Sequence, residues 1–325
     1  MSDDYLWDGS GPPDPEVQRL EEALRPLGHR GSPAELLARL EAPRAPRPRA
    51  APRWQAAVAV VALLAAVVAL QGPPSGAGRA GGGPWDVSAI DGTPRIAREM
   101  VETDATSRAR IDVGSIGTVL VESESRVRLL DHRASRYRLS LERGTLRAVV
   151  WAPPGEFLVD TPSARAVDLG CAYTIAVDAR GSGLLTVESG WVALEHGGRE
   201  AFVPAGARCP TRRHVGPGLP SYLDASPAFQ DALAAFERGE PALEGVLRHA
   251  RARDAMTLWH LLTRTAAPER AHVYDALAVL VPPPAGVSRE AVLRGERAPI
   301  DAWWSALGLG SVDFWRKWKA DWASR

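Results

Sequence analysis

Residues that bind metals or carry out catalysis are scarce in this chain. Its 325 residues include two cysteines and seven histidines. His249 and His260 lie eleven residues apart, neither belongs to an H-x-x-x-H pair, and His29 stands alone. A zinc site needs several such ligands at short spacings, and neither a G-x-S-x-G turn nor a P-loop occurs. We therefore predict no enzyme activity, no metal site and no cofactor.

Net charge is also absent, because 39 Lys and Arg residues balance 39 Asp and Glu residues. The balance hides an asymmetry. Residues 1–43 carry nine acidic and four basic side chains, a net of −5, and residues 44–53 then add four arginines as a basic linker. The acidic segment is not suited to nucleic acid, so we predict no direct nucleic-acid partner, whereas the arginine cluster is suited to lipid headgroups.

One uncharged run interrupts this pattern. It extends from Trp54 to Leu70, seventeen residues with a single amide, Gln55. A helix of this length covers about 26 Å, just enough for a hydrocarbon layer of ~30 Å. Four arginines precede the run and only Arg79 follows it closely, so the positive-inside rule places the N-terminus in the cytoplasm. We predict one transmembrane helix over residues 54–71; a buried core helix and a cleaved signal peptide are the alternatives.

Residues 1–43 predict two or three short amphipathic helices. Asp14 followed by proline starts one, and Ser32 with an acid at the capping-box position starts another. A unit of about forty residues without a metal or a disulfide rarely folds alone. Its apolar residues are therefore expected to meet a partner, and a helical tail without a partner is the alternative. The candidate contacts are Leu6, Trp7, Leu20, Leu24, Leu36 and Leu40.

The sequences YLWDG at 5–9, PPDPE at 12–16 and RLEEAL at 19–24 resemble the opening of bacterial anti-sigma factors. The resemblance covers some twenty residues and implies that residues 1–43 hold a sigma factor on the cytoplasmic side. Zinc-binding members of that group have histidine and cysteine ligands in this segment, whereas this chain has no cysteine before Cys171.

Residues 72–84 form a linker rich in glycine and proline. They contain a formal G-x-G-x-x-G at Gly76, Gly78 and Gly81. That fingerprint binds a pyrophosphate only between a strand and a helix, whereas here an apolar run precedes it and Gly-Gly-Pro follows. We predict a flexible tether in place of a nucleotide site.

From residue 85 to residue 215 the hydrophobic period changes to two. Tyr137, Leu139 and Leu141 alternate with polar residues, and glycines recur at short intervals. An internal repeat pairs LSLERGTLRA at 139–148 with LTVESGWVAL at 185–194. In each copy a strand reaches a glycine and the next strand begins at once, so each copy is a hairpin or a corner of a two-layered sheet. The pattern predicts an all-β sandwich or β-roll.

This region is similar to the FecR family of periplasmic signal-transducing domains, over roughly 120 residues. The family has a Phe-x-Val-x-Thr-Pro segment followed by a Gly-Thr-x-Phe-x-Val strand. The matching residues are Phe157, Val159, Thr161, Pro162, Gly170, Tyr173 and Ile175, with Cys171 in the place of the usual threonine. The resemblance implies a bacterial inner-membrane regulator with a periplasmic sensor domain, a cytoplasmic segment that holds a sigma factor, and an envelope protein as its outer partner.

The two cysteines, Cys171 and Cys209, both fall on the outer, oxidising side of the predicted membrane crossing. Disulfides persist in such compartments, so a bond between them is the first expectation. Two unpaired buried thiols are the alternative, because a sequence does not show whether two side chains come close.

From residue 216 to residue 325 the pattern becomes helical. Helix starts are predicted at Ser226, Pro241, Asp254 and Pro268. Paired antiparallel helices, as in a short α-solenoid, would form an all-α C-terminal domain. Three tryptophans of the last segment fall on one helix face, for which core packing and a partner-binding or membrane-returning surface both stay open. They are Trp315, Trp318 and Trp322.

The sequence therefore predicts a multidomain membrane protein with a short helical N-terminal segment, one transmembrane helix, a FecR-like β domain and an all-α C-terminal domain. The predicted function is a single-pass inner-membrane signal-transducing regulator, with its N-terminus in the cytoplasm and its C-terminus in the periplasm. A cell-envelope scaffold or ligand-binding protein without a sigma-factor partner is the alternative.

Overall fold

The computed structural model describes residues 85–310, apart from residues 98, 134 and 135. These residues belong to one compact unit, and the chain's other unit, Met1–Ser75, lies outside the described part. Within that part, sixteen β-strands are followed by short helices. The strands are β1 (Trp85–Asp91), β2 (Arg95–Ala97), β3 (Met100–Glu102), β4 (Arg108–Val113), β5 (Gly117–Val121), β6 (Arg126–Arg133), β7 (Arg136–Val150), β8 (Phe157–Asp160), β9 (Arg165–Asp168), β10 (Cys171–Val177), β11 (Gly183–Ser189), β12 (Trp191–His196), β13 (Arg199–Pro204), β14 (Ala207–Arg212), β15 (Gly216–Pro217) and β16 (Ser221–Tyr222).

The strands make one continuous, barrel-like sheet that doubles back on itself as two layers. Layer A contains β1, β4, β5, the second half of β7, β10, β11 and β14, with β15 and β16 at its end. Layer B contains β2, β3, β6, the first half of β7, β8, β9, β12 and β13. Strand β7 thus joins the two layers. Its pairing with β8 is parallel, and the other described pairings are antiparallel.

The period-two pattern explains how the layers enclose a core. In β10 every second side chain is buried, beginning with Cys171, and the side chains between them are half-buried. A strand with this alternation has one face in the core and one towards solvent. Strands β12 and β13 differ, because several consecutive residues are buried in each. Both of their faces are therefore covered, one by layer A and the other by the helices described next.

The helices are short and follow the last strand. They are α1 (Pro227–Glu237), α2 (Leu243–His249), α3 (Ala255–Leu262), α4 (Ala267–Leu280), α5 (Arg289–Leu293) and α6 (Arg297–Ala306), with a 3₁₀ turn at Ala252–Asp254. Ser226 caps α1 by accepting a hydrogen bond from the Phe229 N–H, and Pro227 occupies the first turn. This is the start that the sequence predicted, since proline and a serine cap both favour a helix N-terminus.

Glycines mark the places where the chain passes between the layers. Gly144 lies inside β7, Gly170 between β9 and β10, Gly190 between β11 and β12, and Gly206 between β13 and β14. All four have φ between +71° and +91°, which favours glycine. A Cβ on Gly144 would lie 2.2 Å from the Ser125 Oγ. The two copies of the internal repeat, which contain Gly144 and Gly190, are therefore both corners.

The predicted all-α C-terminal domain is wrong. The described helices do not form a core of their own, because their aromatic residues pack on β12 and β13. The Trp304 ring lies 5.7 Å from the Trp191 ring and 5.7 Å from the Phe202 ring, between centroids. Buried helical residues such as Leu258 and Trp259 belong to the same hydrophobic core as the strands. Short amphipathic helices need a large apolar surface to cover, and the sheet provides it.

The predicted fold class as a whole is corrected accordingly, since the described part is mostly β. Within residues 85–310, wherever the structure describes them, no helix is both long enough and apolar enough to cross a membrane. The predicted crossing from Trp54 to Leu70 lies outside the described residues. So do the helices predicted in residues 1–43 and the three C-terminal tryptophans.

Candidate functional site

The helices meet the sheet at an edge strand, β13. Strand β13 has a paired neighbour, β12, on one side. On its other side the Phe202 N–H donates to the His260 Nε2 over 3.0 Å. The Arg264 guanidinium donates to the Glu200 carbonyl over 3.2 Å and to the Pro217 carbonyl over 2.8 Å. Side chains from α3 and the turn after it thus occupy backbone groups that would otherwise be open to another strand.

His260 is buried and neutral in this arrangement. Its Nδ1 lies 2.8 Å from the Met256 carbonyl, so Nδ1 carries the proton and Nε2 is free to accept from Phe202. The pKa of His260 is lowered to about 3, chiefly by burial, with smaller contributions from the positive charges of Arg264 and Arg297. A protonated ring would lose the Phe202 hydrogen bond and place a charge in the core. The folded structure therefore requires a neutral His260.

An aromatic cluster surrounds His260. We call Trp191, Phe202, Trp259, His260 and Trp304 the aromatic joint. The Trp259 and Trp304 rings lie 4.6 Å apart in an edge-to-face arrangement, and the Trp259 Nε1–H donates to the Ile300 carbonyl over 2.6 Å. Edge-to-face pairs of this kind stabilise a contact beyond their buried area. The joint therefore connects α3 and α6 firmly to β12 and β13.

A second buried polar group lies at the corner between β9 and β10. We call Asp168, Cys171 and Tyr173 the buried acid cluster. Asp168 is 1% exposed, and its Oδ1 accepts a hydrogen bond from the Gly170 N–H over 2.6 Å. Its Oδ2 and the Tyr173 hydroxyl are both buried, and neither has a partner among the described residues. Buried polar atoms without partners are rare in folded proteins and ask for an explanation.

Burial dominates the electrostatics of this cluster. It raises the pKa of Asp168 to about 7, against smaller opposite effects of hydrogen bonds from the Cys171 thiol and from the Gly170 and Cys171 N–H groups. It also raises the pKa of Cys171 and of Tyr173, and the nearby Asp168 charge adds to both shifts. A thiol held in its neutral form is a poor nucleophile. The cluster therefore has an acid that titrates near neutral pH and no activated nucleophile.

The predicted disulfide between Cys171 and Cys209 is not formed, because both thiols are free and buried. Cys209 is paired with Leu185, and Leu185 with Ile175, which lies four residues along β10 from Cys171. Four residues along a strand and two strand spacings across place the two Cα atoms about 16 Å apart. A disulfide needs a separation of about 4.4–6.8 Å.

Two grooves lie on the described surface, and both are polar. The larger, of about 810 Å³, lies beside the Gly144 corner and contains an ion pair between Arg143 and Glu102 at 3.1 Å. The smaller, of about 370 Å³, lies between the turn after β8 and the turn after β12. Among the described residues no three His, Cys, Asp or Glu side chains come together to hold a metal. The predicted lack of a metal site and of enzyme activity stays a prediction for the whole chain.

One solvent-facing part of layer A is unusually apolar. Trp151, just after β7, is 70% exposed, Val149 is 48% exposed and Leu184 is 40% exposed. The Trp151 N–H donates to the Ile116 carbonyl over 2.8 Å, which fixes the backbone at the end of the strand. We call these three side chains, with the outer face of β5, β7, β10 and β11 around them, the layer A face.

Most of the site residues predicted from the sequence lie outside the described part of the chain. The candidate partner contacts from Leu6 to Leu40 and from Trp315 to Trp322 lie outside the described residues. Sequence reasoning missed Asp168, His260 and Arg264. Asp168 could have been identified from the sequence, because it is the lone acid of an apolar stretch, AVDLGCAYTIAV at 166–177, and lies two residues before a glycine. No pattern in the sequence marks His260 and Arg264, because their partners lie about sixty residues away on β13.

No protein-family model and no curated protein matches the chain. Two solved structures, each described as "a putative anti-sigma factor from Parabacteroides distasonis ATCC 8503", overlap part of it. One is 14% identical with a TM-score of 0.34 over 42% of this chain, and the other is 15% identical with a TM-score of 0.31 over 46%. The chain covers 64% of the length of each, which is less than two thirds. An overlap of this size assigns neither a family nor a function, and the FecR resemblance stays a prediction.

Proposed function

We propose that residues 85–310 form the signal-receiving module of a regulator of transcription, and that the layer A face binds another protein of the bacterial envelope. The observation that carries the proposal is Trp151, a tryptophan that is 70% exposed. Tryptophans dominate the binding energy of protein interfaces because they bury a large area at low entropic cost. An exposed tryptophan with aliphatic neighbours is typical of an interaction site.

Trp151 and Val149 share the outer face at the end of β7, and the residues paired with Val149 are uncharged. Val149 is paired with Thr118 of β5 on one side and with Ala172 of β10 on the other. Leu184 of β11 lies on the same face, opposite Ala176. Because successive side chains of a strand alternate between faces, Trp151, Val149 and their neighbours Thr118 and Ala172 share one surface. Leu184 lies on the same side of the sheet but four residues and two strands from Val149, about 16 Å away.

The charges of the layer A face are largely paired within the protein. Arg147, next to Val149 on the outer face, lies 3.1 Å from Glu188 of β11, and Arg110 lies 2.8 Å from Asp112. A nearly neutral face does not attract anionic lipid or nucleic acid, both of which need unpaired cations. The partner that fits is a protein whose own surface offers an apolar pocket to the indole ring.

The cytoplasmic half of the proposal rests on the sequence. The acidic, leucine-containing residues 1–43 are the proposed sigma-factor partner site. The uncharged run between residues 54 and 70, preceded by arginines, supports a location at the inner membrane, with the described unit on the periplasmic side. The protein acts by binding, and no catalytic step is proposed for it.

The test compares the transcriptomes of strains that carry the full-length gene, a deletion, or the Trp151→Ala variant. We expect Trp151→Ala to reproduce at least half of the expression changes of the deletion at an unchanged protein level, because it removes the contact that receives the signal. Leu223→Ala is the matched control, since Leu223 is also an exposed apolar residue, at 50%, and lies outside the layer A face. A wild-type response of Trp151→Ala would rule out this surface.

The sigma-factor partner is tested by a two-hybrid assay between residues 1–43 and each sigma factor of the host. Recovery of no sigma factor, together with an unchanged transcriptome when this segment is deleted, would favour the envelope scaffold. Reporters fused at residue 1 and at residue 325 test the location. Both reporters in one compartment would contradict it.

A further inference from the structure

The buried acid cluster lies where three stretches of chain cross between the layers side by side. A Cβ on Gly190 would lie 2.1 Å from the Gly170 carbonyl oxygen, so these two corners are in direct contact. The Ala205 N–H donates to the Gly190 carbonyl over 3.0 Å, and the Gly206 N–H donates to the Val187 carbonyl over 2.8 Å. A displacement of one corner therefore displaces the others.

Asp168 is connected to this corner through its side chain and its backbone. Its carboxylate holds the Gly170 N–H, and its carbonyl accepts from the Gly155 N–H over 3.2 Å. The next residue, Leu169, donates its N–H to the Trp191 carbonyl over 3.2 Å. Any movement of Asp168 thus reaches Trp191, whose ring packs on Trp304 of α6 in the aromatic joint.

Among the described residues, no cation compensates a charge at this position. The influences on the Asp168 carboxyl are burial, the Cys171 thiol and the N–H groups of Gly170 and Cys171, without an arginine, lysine or histidine. From β10 the titratable groups that face it are Cys171 and Tyr173, and on β12 its paired residue is Val192. An ionised carboxylate here would be buried with an unpaired oxygen, Oδ2, which is costly in a protein core.

We propose that the buried acid cluster is a pH-responsive joint: with Asp168 neutral the corner is closed, and ionisation of Asp168 opens it and loosens the contact between Trp191 and α6. The open corner hydrates the carboxylate, and the closed corner excludes water from it. The joint is a property of this fold and does not depend on the identity of any partner.

The direction of the response follows from the two states of the carboxyl. In the closed corner the pKa of Asp168 is about 7, above its ordinary value of 3.8. Because the pKa of Asp168 is raised in the closed corner, low pH favours the closed state. The equilibrium constant for opening increases as pH rises from about 4 and levels off above pH 7. Between pH 6 and pH 8 this relation gives an increase in opening of about tenfold.

Opening is measured by the labelling of Cys171 with N-ethylmaleimide in the folded full-length protein, followed by mass spectrometry. Cys209 is an internal reference, because it is equally buried and lies on β14, away from the acid. Dividing each labelling rate by the rate of the same thiol in the denatured protein at the same pH removes the pH dependence of thiolate formation. We expect this ratio to rise about tenfold for Cys171 from pH 6 to pH 8, and to rise less for Cys209, whose exposure does not require the corner to open.

The Asp168→Asn variant keeps the shape of the side chain and cannot ionise, so its ratio should not change with pH. Asp178→Asn is the matched control. Asp178 also accepts backbone N–H groups, those of Arg180 and Ser182, but it is exposed, and its variant should behave as the wild type. A wild-type ratio that is flat between pH 6 and pH 8 would overturn the proposal, even if Asp168→Asn failed to fold.

Discussion

At the scale of single residues, two buried titratable groups oppose each other in their effect on stability. His260 is kept neutral by burial and by its two backbone partners, Phe202 and Met256. Burial raises the pKa of Asp168 at a corner where no cation of the described residues compensates its charge. Between about pH 4 and pH 6.5, His260 becomes protonated when the chain unfolds, so it favours unfolding more as pH falls. Asp168 becomes ionised when the chain unfolds, so it favours unfolding more as pH rises. The two contributions to the pH dependence of stability therefore offset each other in the wild-type protein. Variants are needed to separate them.

The first prediction concerns His260. Its folded pKa, about 3, is below the ordinary value of 6.5, so its contribution to stability is complete above pH 6.5 and decreases as pH falls towards 3. We expect the stability difference between wild type and His260→Gln to shrink by about 2 kcal/mol from pH 7 to pH 5. Denaturant titrations at the two pH values measure it. His249→Gln, at an exposed histidine, should show no such change, and a constant difference for His260→Gln would contradict a neutral buried ring.

At the scale of elements, the corners decide how strands are divided between layers. A glycine at a corner has two separate reasons to be there, a left-handed backbone and the close approach of another chain segment. Gly190 has both, with φ of +71° and a neighbouring carbonyl oxygen 2.1 Å from the position that a Cβ would take. Gly198, in the turn between β12 and β13, has only the first, with φ of +80° and no atom within 4 Å of the equivalent position.

The second prediction uses this pair of glycines. Gly198→Ala should cost about 1 kcal/mol, the strain of a left-handed alanine. Gly190→Ala should cost about 3 kcal/mol or more, because the added methyl group also pushes Gly170 and the corner apart. Chemical denaturation of both variants measures the difference. Equal costs would mean that the corners are not in contact.

The edge of β13 shows a second role of the elements. A free strand edge invites pairing with other chains, and natural proteins cover such edges. Here α3 and its following turn do so through side chains, with His260 bound to one backbone N–H and Arg264 to one carbonyl. The helices therefore protect the sheet as well as enlarging its core.

At the scale of the whole molecule, the sheet and the helices share one hydrophobic core. Cores that are shared unfold together, whereas separate domains unfold in separate steps. The aromatic joint is the place where this coupling is strongest, because Trp304 contacts Trp191, Phe202, Trp259 and His260.

The third prediction tests this coupling. Trp304→Ala should destabilise the protein by about 3–5 kcal/mol, the usual cost of removing a large buried aromatic side chain. The loss of helix and of sheet, followed by circular dichroism and by infrared absorption, should stay coincident. Val279→Ala, at an 84% exposed position on α4, should change stability by less than about 0.5 kcal/mol. Helix loss at a lower denaturant concentration than sheet loss would support a separate helical domain.

Local features of the described part could be predicted from the order of amino acids. Alternation around Leu139 and Leu141 predicted β7, the repeat predicted a hairpin or a corner at Gly144 and at Gly190, and Ser226 with Pro227 predicted the start of α1. These features could be predicted because each depends on residues that are close in the chain, through side-chain periodicity, positive φ or a helix cap.

The folded structure, in contrast, set which surfaces meet. It packed the helices on β12 and β13, separated Cys171 from Cys209 by two strands and four residues, and left Asp168 in the core without a cation. Contacts between residues far apart in the chain depend on strand register and on the layer to which each strand belongs. A period-two pattern is the same for either layer, so the sequence alone predicted two domains where the fold has one core.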